Sequence, residues 1–262
     1  MSSPLPHAAR MVLLALPLAG LSGCSEPTAP VVSGSLGVPD ILGRCVRAYE
    51  TAATLQARGL LRDYRGAERR VANIGWDYLR PDRWRLQIEL DLAVVVGDDS
   101  WFYDSASRRF RRHTRFTRNP IETSAHLLSK GVPFLVPALL SRGPAALGGS
   151  RDGQYPGWSM EGVGWHAERP CYVLARRGWG REPRHTLRLW IDQDQFVLRG
   201  WAVERPAADG RDAVLLGCSY YEMQLGGPLP RNRFDLYPPR PILLPLSGTG
   251  RPAESGVSGR TD

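Results

Sequence analysis

The chain contains residue types that could perform catalysis, but their spacings do not indicate an active site. The sequence has none of the HExxH, GxSxG or phosphate-loop patterns. Asp192 and Asp194 follow a predicted strand, where acidic side chains commonly cap turns. No Cys/His cluster has the spacing of a metal site. The sequence therefore predicts a protein that is not an enzyme and needs no cofactor or metal, although it carries His7, His113, His126, His166 and His185.

The cysteine with the most informative surroundings is Cys24. It follows Met11–Gly23, an apolar stretch of 13 residues, which has the length of a signal-peptide core and is too short to span a membrane. Small residues before the cysteine resemble the lipobox of bacterial lipoproteins. This resemblance implies cleavage of residues 1–23 and lipidation of Cys24 with palmitate-like chains, which anchor a protein firmly. The alternative is an ordinary secretory signal with an incidental cysteine.

Low-complexity regions flank the part of the chain that we expect to fold. Residues 24–39 are rich in Ser, Pro and Gly and predict a flexible tether, while residues 247–262 predict a disordered tail. The folded domain is therefore expected within residues 40–246. By analogy with enterobacterial sorting, Ser25 after the cysteine favours the outer membrane, facing the periplasm of a diderm bacterium. No long apolar run follows, which excludes a polytopic membrane protein.

The chain is basic, with 34 Lys and Arg against 26 Asp and Glu, and Lys130 is its single lysine. The densest basic run is 108–118, and a strand there would place Arg109, Arg111 and Arg115 on one face. Such a strip could contact anionic lipid headgroups. The alternative is a solvated outer face of a sheet. An exported lipoprotein rarely meets nucleic acid, so we expect a membrane partner and no nucleic-acid partner.

Three cysteines remain if Cys24 is acylated. Cys171 and Cys218 both lie on predicted late strands and could form a disulfide in an oxidising compartment. Cys45 lies on the apolar side of the first predicted helix, where burial is expected. The sequence leaves the oligomeric state open.

Hydrophobic periodicity predicts a mainly β chain. One amphipathic helix is expected from an N-cap at Asp40 to about Ala57, closed by Gly59. Alternation then predicts about ten strands, the clearest being Trp84–Leu90. Two short apolar helices, 121–130 and 132–142, interrupt the strands. This order predicts an α+β fold, with an open antiparallel half-barrel, an N-terminal helix and a helical lid over the concave face.

Several local motifs resemble the LolA/LolB superfamily of bacterial envelope proteins. They are the turn 80–85, the turn and aromatic strand 97–104, the segments 170–174 and 189–192, and the closing segment 234–239. The superfamily includes a periplasmic lipoprotein carrier and its outer-membrane receptor. The resemblance implies helices that form a lid over a hydrophobic cavity for acyl chains.

The predicted function follows from that cavity. The chain would bind acyl chains of lipids or lipoproteins, with lipid or lipoprotein trafficking as the implied role. The alternative is an envelope sensor or assembly partner with the same fold and a filled core. The residues expected to line the cavity are Leu86, Ile88, Leu90, Trp101, Leu128, Phe134, Leu135 and Leu139.

Overall fold

The computed structural model describes residues 36–66, 69–113, 119–129, 134–179, 183–206 and 212–242. The predicted signal peptide, Cys24, residues 24–35 of the tether, Arg115 and the tail 247–262 lie outside these residues and stay predictions. Within the described ranges, no helix is both long enough and apolar enough to cross a membrane.

Eleven strands and three α-helices make up the described fold. The helices are α1 (Val38–Thr51), α2 (Pro120–Leu128) and α3 (Leu135–Arg142), with 3-10 helices at Gly143–Leu147 and Arg231–Phe234. The strands are β1 (Thr54–Asp63), β2 (Arg70–Leu79), β3 (Arg83–Ile88), β4 (Asp91–Val96), β5 (Asp99–Asp104), β6 (Arg109–His113), β7 (Trp158–His166), β8 (Arg169–Arg177), β9 (Thr186–Asp192), β10 (Leu198–Pro206) and β11 (Asp212–Leu225).

All eleven strands form one antiparallel sheet in the order β6-β5-β4-β3-β2-β1-β11-β10-β9-β8-β7. Each half is a meander, because most strands pair with their sequence neighbours. The pairing of β1 with β11 joins the halves and brings the first and last strands together. The predicted fold class, an open antiparallel half-barrel with an N-terminal helix and a helical lid, is therefore confirmed.

The predicted end of the first helix is wrong. α1 ends at Thr51, and Gly59 does not close it but lies inside β1 at a bulge opposite β11. A side chain at Gly59 would collide with the carbonyl oxygen of Ser219, so the glycine permits close strand approach. The helix also begins earlier than expected, with Gly37 as N-cap and Asp40 in its first turn. The strand missed by the sequence pattern is β1.

The concave face of the sheet is covered by α1. The buried side of this helix consists of Ile41, Leu42, Cys45, Val46 and Tyr49, which follow the spacing of one helical face. The hydroxyl of Tyr49 also accepts a hydrogen bond from the Leu198 amide of β10 at 3.1 Å. Apolar packing and this bond together fix α1 against the β11–β10 half of the sheet.

Arg80 caps the C-terminal end of α1. Its guanidinium donates to the carbonyl oxygens of Tyr49 at 3.3 Å, Glu50 at 2.5 Å and Ala52 at 3.1 Å. The last carbonyls of a helix have no partners within it, and the helix dipole favours a positive charge there. The Arg80-Pro81-Asp82 turn noted in the sequence therefore joins β2 to β3 and also fixes α1.

The convex face is covered in part by the C-terminal segment after β11. Phe234 packs there against Leu92 and Val94 of β4. Arg233 bonds the buried carboxylate of Asp77 at 2.9 Å. That carboxylate, 1% exposed, also pairs with Arg58 at 2.9 Å and with Arg85 at 3.6 Å. A buried acid with three cations is well compensated, so Asp77 ties the segment to β1, β2 and β3.

His166 packs on the same convex face at the end of β7. Its ring stacks on Trp190 at 4.7 Å between centroids and occupies the space beside Gly200, where a side chain would collide with it. Burial, with a smaller contribution from Arg62, lowers the pKa of His166 from 6.5 to about 4. The imidazole is therefore neutral in the folded protein at neutral pH.

Replacing Arg80 by Ala should lower the free energy of unfolding by about 1–3 kcal/mol, because the end of α1 loses a charged donor. Urea unfolding followed by circular dichroism measures this change. The matched control is Arg184→Ala, an exposed arginine in the turn before β9, which should change stability by less than about 0.5 kcal/mol. Equal losses in the two variants would contradict the capping role.

Stability should fall as the pH drops from about 6.5 to 4. The unfolded chain binds a proton on His166 at higher pH than the folded chain does, because the folded-state pKa is the lower one. Protonation thus favours the unfolded state, and the loss should reach up to about 3 kcal/mol at pH 4. His166→Phe, which keeps a ring on Trp190, should flatten the pH profile between these values. The exposed His126→Gln should leave it unchanged; equal flattening by both would contradict the assignment.

Candidate functional site

The concave face between the sheet and the α2–α3 hairpin is the candidate site. Leu86 and Ile88 of β3 point into it and are fully buried. From the hairpin side, Phe134, Leu135 and Leu139 are buried in the same core. Leu128 is partly buried and packs against this core. The structure thus brings together six of the eight residues that the sequence assigned to a cavity lining.

The other two lie elsewhere. Strand β3 ends at Ile88, and Leu90 sits in the two-residue turn to β4, where it is 45% exposed. The alternation stops at Glu89, whose φ of 52° marks the turn. Trp101 pairs with Val94, so it faces the convex side of the sheet, where Arg112 lies 5.7 Å from its ring. Neither residue lines the concave face.

Aromatic rings form the centre of this face. Trp76 of β2 stacks on Trp84 of β3 with ring centroids 5.6 Å apart, and Phe134 meets Trp76 edge-on at 4.9 Å. Such arrangements of aromatic pairs are favourable. Trp76 and Trp84 are not among the residues expected to line the cavity, although the alternation of Ile74, Trp76 and Tyr78 along β2 indicates this face.

Among the described residues, side chains fill the space under the hairpin. Phe134 and Leu135 are each 6% exposed, and Leu139 is 1% exposed. Two hollows occur elsewhere: one of about 360 Å³ beside Arg58, Arg169 and Arg199, and one of about 300 Å³ beside Pro39 and Tyr155. An acyl chain could therefore reach the aromatic centre only where a side chain of the hairpin moved aside.

Polar contacts bind the two hairpin helices to each other. Asn119 caps α2 by accepting from the amides of Ile121 at 3.0 Å and Glu122 at 3.2 Å. Glu122 accepts a hydrogen bond from Ser141 and pairs with Arg142 of α3 at 3.0 Å. Phe134 and its apolar neighbours form the contact with the sheet. The hairpin is thus one unit that rests on the sheet through apolar surface.

One end of the hairpin is anchored. After α3 the chain turns at Gly143, with φ 53°, into a 3-10 helix. The carbonyl oxygen of Leu147 then accepts hydrogen bonds from the Trp158 indole and from Arg176, both at 2.9 Å. These bonds fix the 3-10 helix to β7 and β8. Gly143 therefore lies between an anchored segment and a hairpin held by apolar contacts.

Strand β6 places basic side chains at one edge of the sheet. Arg111 pairs with Phe102, and Arg109 pairs with Asp104, so both arginines lie on the concave side. Arg112 lies on the convex side and forms an ion pair with Asp99. The predicted alternation thus agrees with the described part of the run.

The predicted disulfide is wrong, because Cys171 and Cys218 are free in the structure. Cys218 pairs with Trp201 and faces the concave side, whereas Cys171 pairs with Asp192 on the opposite face. Strands β9 and β10 lie between their strands, which puts the α-carbons about 14 Å apart, and a disulfide requires less than about 7 Å.

Burial makes the three described thiols unreactive. It raises the pKa of Cys45, Cys171 and Cys218 from 9.0 to about 12 in each case. The turn acid Asp192 has a structural role as predicted: it accepts from the amides of Asp194 and Gln195 and pairs with Arg199 at 2.9 Å.

Neither a family model nor a curated protein matches this chain. Solved structures that resemble it include the MucA/MucB complex of Pseudomonas aeruginosa, at 15% identity, 75% coverage of this chain, 60% coverage of that chain and a TM-score of 0.45. A LolA superfamily protein of Nitrosomonas europaea has 12% identity, 77% coverage of this chain, 98% coverage of that chain and a TM-score of 0.31. For the lipoprotein LppX of Mycobacterium tuberculosis these values are 10%, 74%, 99% and 0.42.

The chain spans about 60% of the length of the matched chain in that complex. Identities this low assign no ligand, partner or activity to the chain.

The buried thiols should resist alkylation while the protein is folded. Only the thiolate reacts with iodoacetamide, and burial keeps these thiols protonated at about pH 8. Mass spectrometry of the treated full chain should find Cys45, Cys171 and Cys218 unmodified without denaturant and fully modified in guanidinium. Rapid modification of the folded chain would contradict the burial, and a mass lower by two hydrogen atoms would indicate that the disulfide is present.

Proposed function

We propose that this chain is a lipid-anchored envelope protein that binds acyl chains of lipids or lipoproteins on its concave face. The observation that carries the proposal is the way in which the α2–α3 hairpin contacts the sheet. The ion pair of Glu122 with Arg142 lies within the hairpin, and apolar side chains such as Phe134 cover the sheet. An acyl chain could take the place of these side chains on the aromatic centre.

The exchange costs little free energy in principle because it replaces one apolar contact by another. Burial of apolar surface contributes about 25 cal/mol per Å², whether the surface belongs to a side chain or to a ligand. The bonds to the Leu147 carbonyl would hold one end of the hairpin during the movement. Gly143 is the residue at which the hairpin would turn. The function requires no chemical step, no cofactor and no metal.

The anchor would keep this site close to a membrane. Lipidation of Cys24 would leave 13 residues, 25–37, before α1. A flexible tether of this length has a root-mean-square span of about 20 Å. We place the protein in the outer membrane, facing the periplasm. Arg109, Arg111 and Arg115 would then attract anionic headgroups, at about 1 kcal/mol per charge near the surface.

A second function is favoured by a different observation, the filled interior. Leu86, Ile88 and Leu139 are at most 1% exposed in the structure. If the hairpin does not move, the protein acts through its outer surfaces, as an envelope sensor or assembly partner. The two functions differ in the response of the hairpin to a lipid.

A smaller side chain at position 134, which competes with the ligand for the aromatic centre, should distinguish acyl binding from the filled-core function. Phe134→Leu keeps an apolar side chain but weakens the contact with Trp76. Binding of palmitoyl lysophosphatidylglycerol should therefore become about threefold to tenfold stronger, since roughly 1 kcal/mol of competing contact is lost. Native mass spectrometry of the full chain released from detergent micelles would measure the bound fraction.

The matched control is Leu189→Val on β9, which is fully buried in the half of the sheet away from the hairpin. It should destabilise the protein by about 1 kcal/mol without raising lipid binding. If neither variant nor the parent chain binds lipid, acyl binding is wrong and the filled-core function stands.

A further inference from the structure

Four buried polar atoms lie on the hairpin-covered side of the sheet without a partner among the described residues. They are the indole nitrogens of Trp76 and Trp84 and the hydroxyl oxygens of Ser100 and Ser124. Both serines are 0% exposed, and the tryptophans are 2% and 1% exposed. Buried polar groups are nearly always hydrogen-bonded, so such a group calls for a specific explanation.

Strand register places three of these residues on one face. Trp84 pairs with Val95, and Val95 pairs with Ser100. Trp76 pairs with Leu86, on the same face and two positions along β3 from Trp84. Neighbouring strands lie about 4.8 Å apart, so Trp84 and Ser100 are separated by about 10 Å across the sheet.

Ser124 adds a hydroxyl from above this face. It is buried on α2, the helix that packs over β3, β4 and β5. A ligand under the hairpin would thus meet indole donors on the sheet and a hydroxyl on the helix.

Beyond Ser100 the same face becomes cationic. On the next strand, β6, His113 lies directly opposite Ser100, and Arg111 and Arg109 follow two and four positions away on the same face, all three exposed. The carboxylate facing them from β5 is Asp104, opposite Arg109. Two guanidinium groups against one carboxylate leave the edge positively charged. Across about 15 Å, from β3 to β6, the face therefore changes from aromatic to hydroxyl-bearing to cationic.

We propose that this face binds an anionic glycerophospholipid that carries an ester-linked acyl chain. The inference rests on the proposed function and names its ligand. The acyl chain lies on Trp76 and Trp84, and the ester carbonyl accepts a hydrogen bond from Ser100 or Ser124. The phosphate lies at Arg109 and Arg111. The order of chemistry along the lipid matches the order of the strands.

The experiment compares three lipids on the full chain in detergent micelles by native mass spectrometry. Palmitoyl lysophosphatidylglycerol carries both the ester and the net negative charge. Its alkyl-ether analogue lacks the carbonyl, and palmitoyl lysophosphatidylcholine lacks the net charge. The first should bind about threefold to tenfold more tightly than either of the others, the range expected for one hydrogen bond or one surface ion pair.

Variants assign each preference to its residues. Ser100→Ala combined with Ser124→Ala should remove the preference for the ester over the ether. Arg109→Gln combined with Arg111→Gln should remove the preference for the anionic headgroup. Arg112→Gln is the matched control, because it lies on the same strand but on the opposite face; it should keep both preferences.

Stability gives a second readout that a purely structural role would not produce. The hydroxyls of Ser100 and Ser124 have no hydrogen-bond partner among the described residues, so their replacement by Ala should leave the unfolding midpoint unchanged or raise it. A marked fall in that midpoint would show that the hydroxyls serve the fold and would overturn their assignment.

The outcomes of the lipid series separate the inference from the proposed function. Equal binding of all three lipids would overturn the inference and leave acyl binding standing. Absence of binding for all three would overturn both. Preferences that persist in the serine and arginine variants would show that other residues make the selection, which also overturns the inference.

Discussion

The pairing of β1 with β11 is the interaction on which the rest of the structure depends. It joins two meanders of six and five strands into one sheet, so the first and last strands of the fold meet at its centre. The bulge at Gly59, where the backbone of Ser219 leaves no room for a side chain, is part of this junction. Without the pairing of β1 with β11, each half of the sheet would expose an apolar face and an extra strand edge.

The three segments that cover the curved sheet are held in place to different degrees. α1 is held by charged hydrogen bonds from Arg80 at its C-terminal end and by the bond from Leu198 to Tyr49. On the convex face, Arg233 is held by the buried carboxylate of Asp77. In the α2–α3 hairpin, the contact of Ser141 with Glu122 lies within the hairpin, and Phe134 packs on Trp76 of the sheet. Directional bonds hold α1 and the C-terminal segment in defined positions, whereas apolar packing alone constrains position less strictly.

The sequence predicted features that depend on local periodicity. Alternation identified most strands and the side of β6 that carries Arg109 and Arg111, because side-chain direction follows from position in a strand. Prediction from this alternation failed where contacts between residues distant in the sequence determine the structure. Gly59 ended a predicted helix yet lies in a central strand, since its role depends on Ser219, 160 positions later. The cysteine pairing failed for the same reason, because the face of a strand is known only after the register is fixed. The residues expected to line a cavity lie on the concave face where the alternation continued, whereas Leu90 lies in a turn.

Two opposing contributions to the free energy determine whether the interior stays closed. Leu86, Ile88 and Leu139 bury apolar surface, which favours the position of the hairpin seen here. The unpartnered indole and hydroxyl groups oppose it, because each buried polar group without a partner costs about 1–3 kcal/mol. Movement of the hairpin would let water or a ligand carbonyl satisfy those groups while exposing apolar side chains. A ligand with both a hydrocarbon chain and a hydrogen-bond acceptor would cover the apolar side chains and also bind the polar groups. Water would satisfy only the polar groups. This difference in free energy is what a ligand needs in order to shift the hairpin from the closed to the open arrangement.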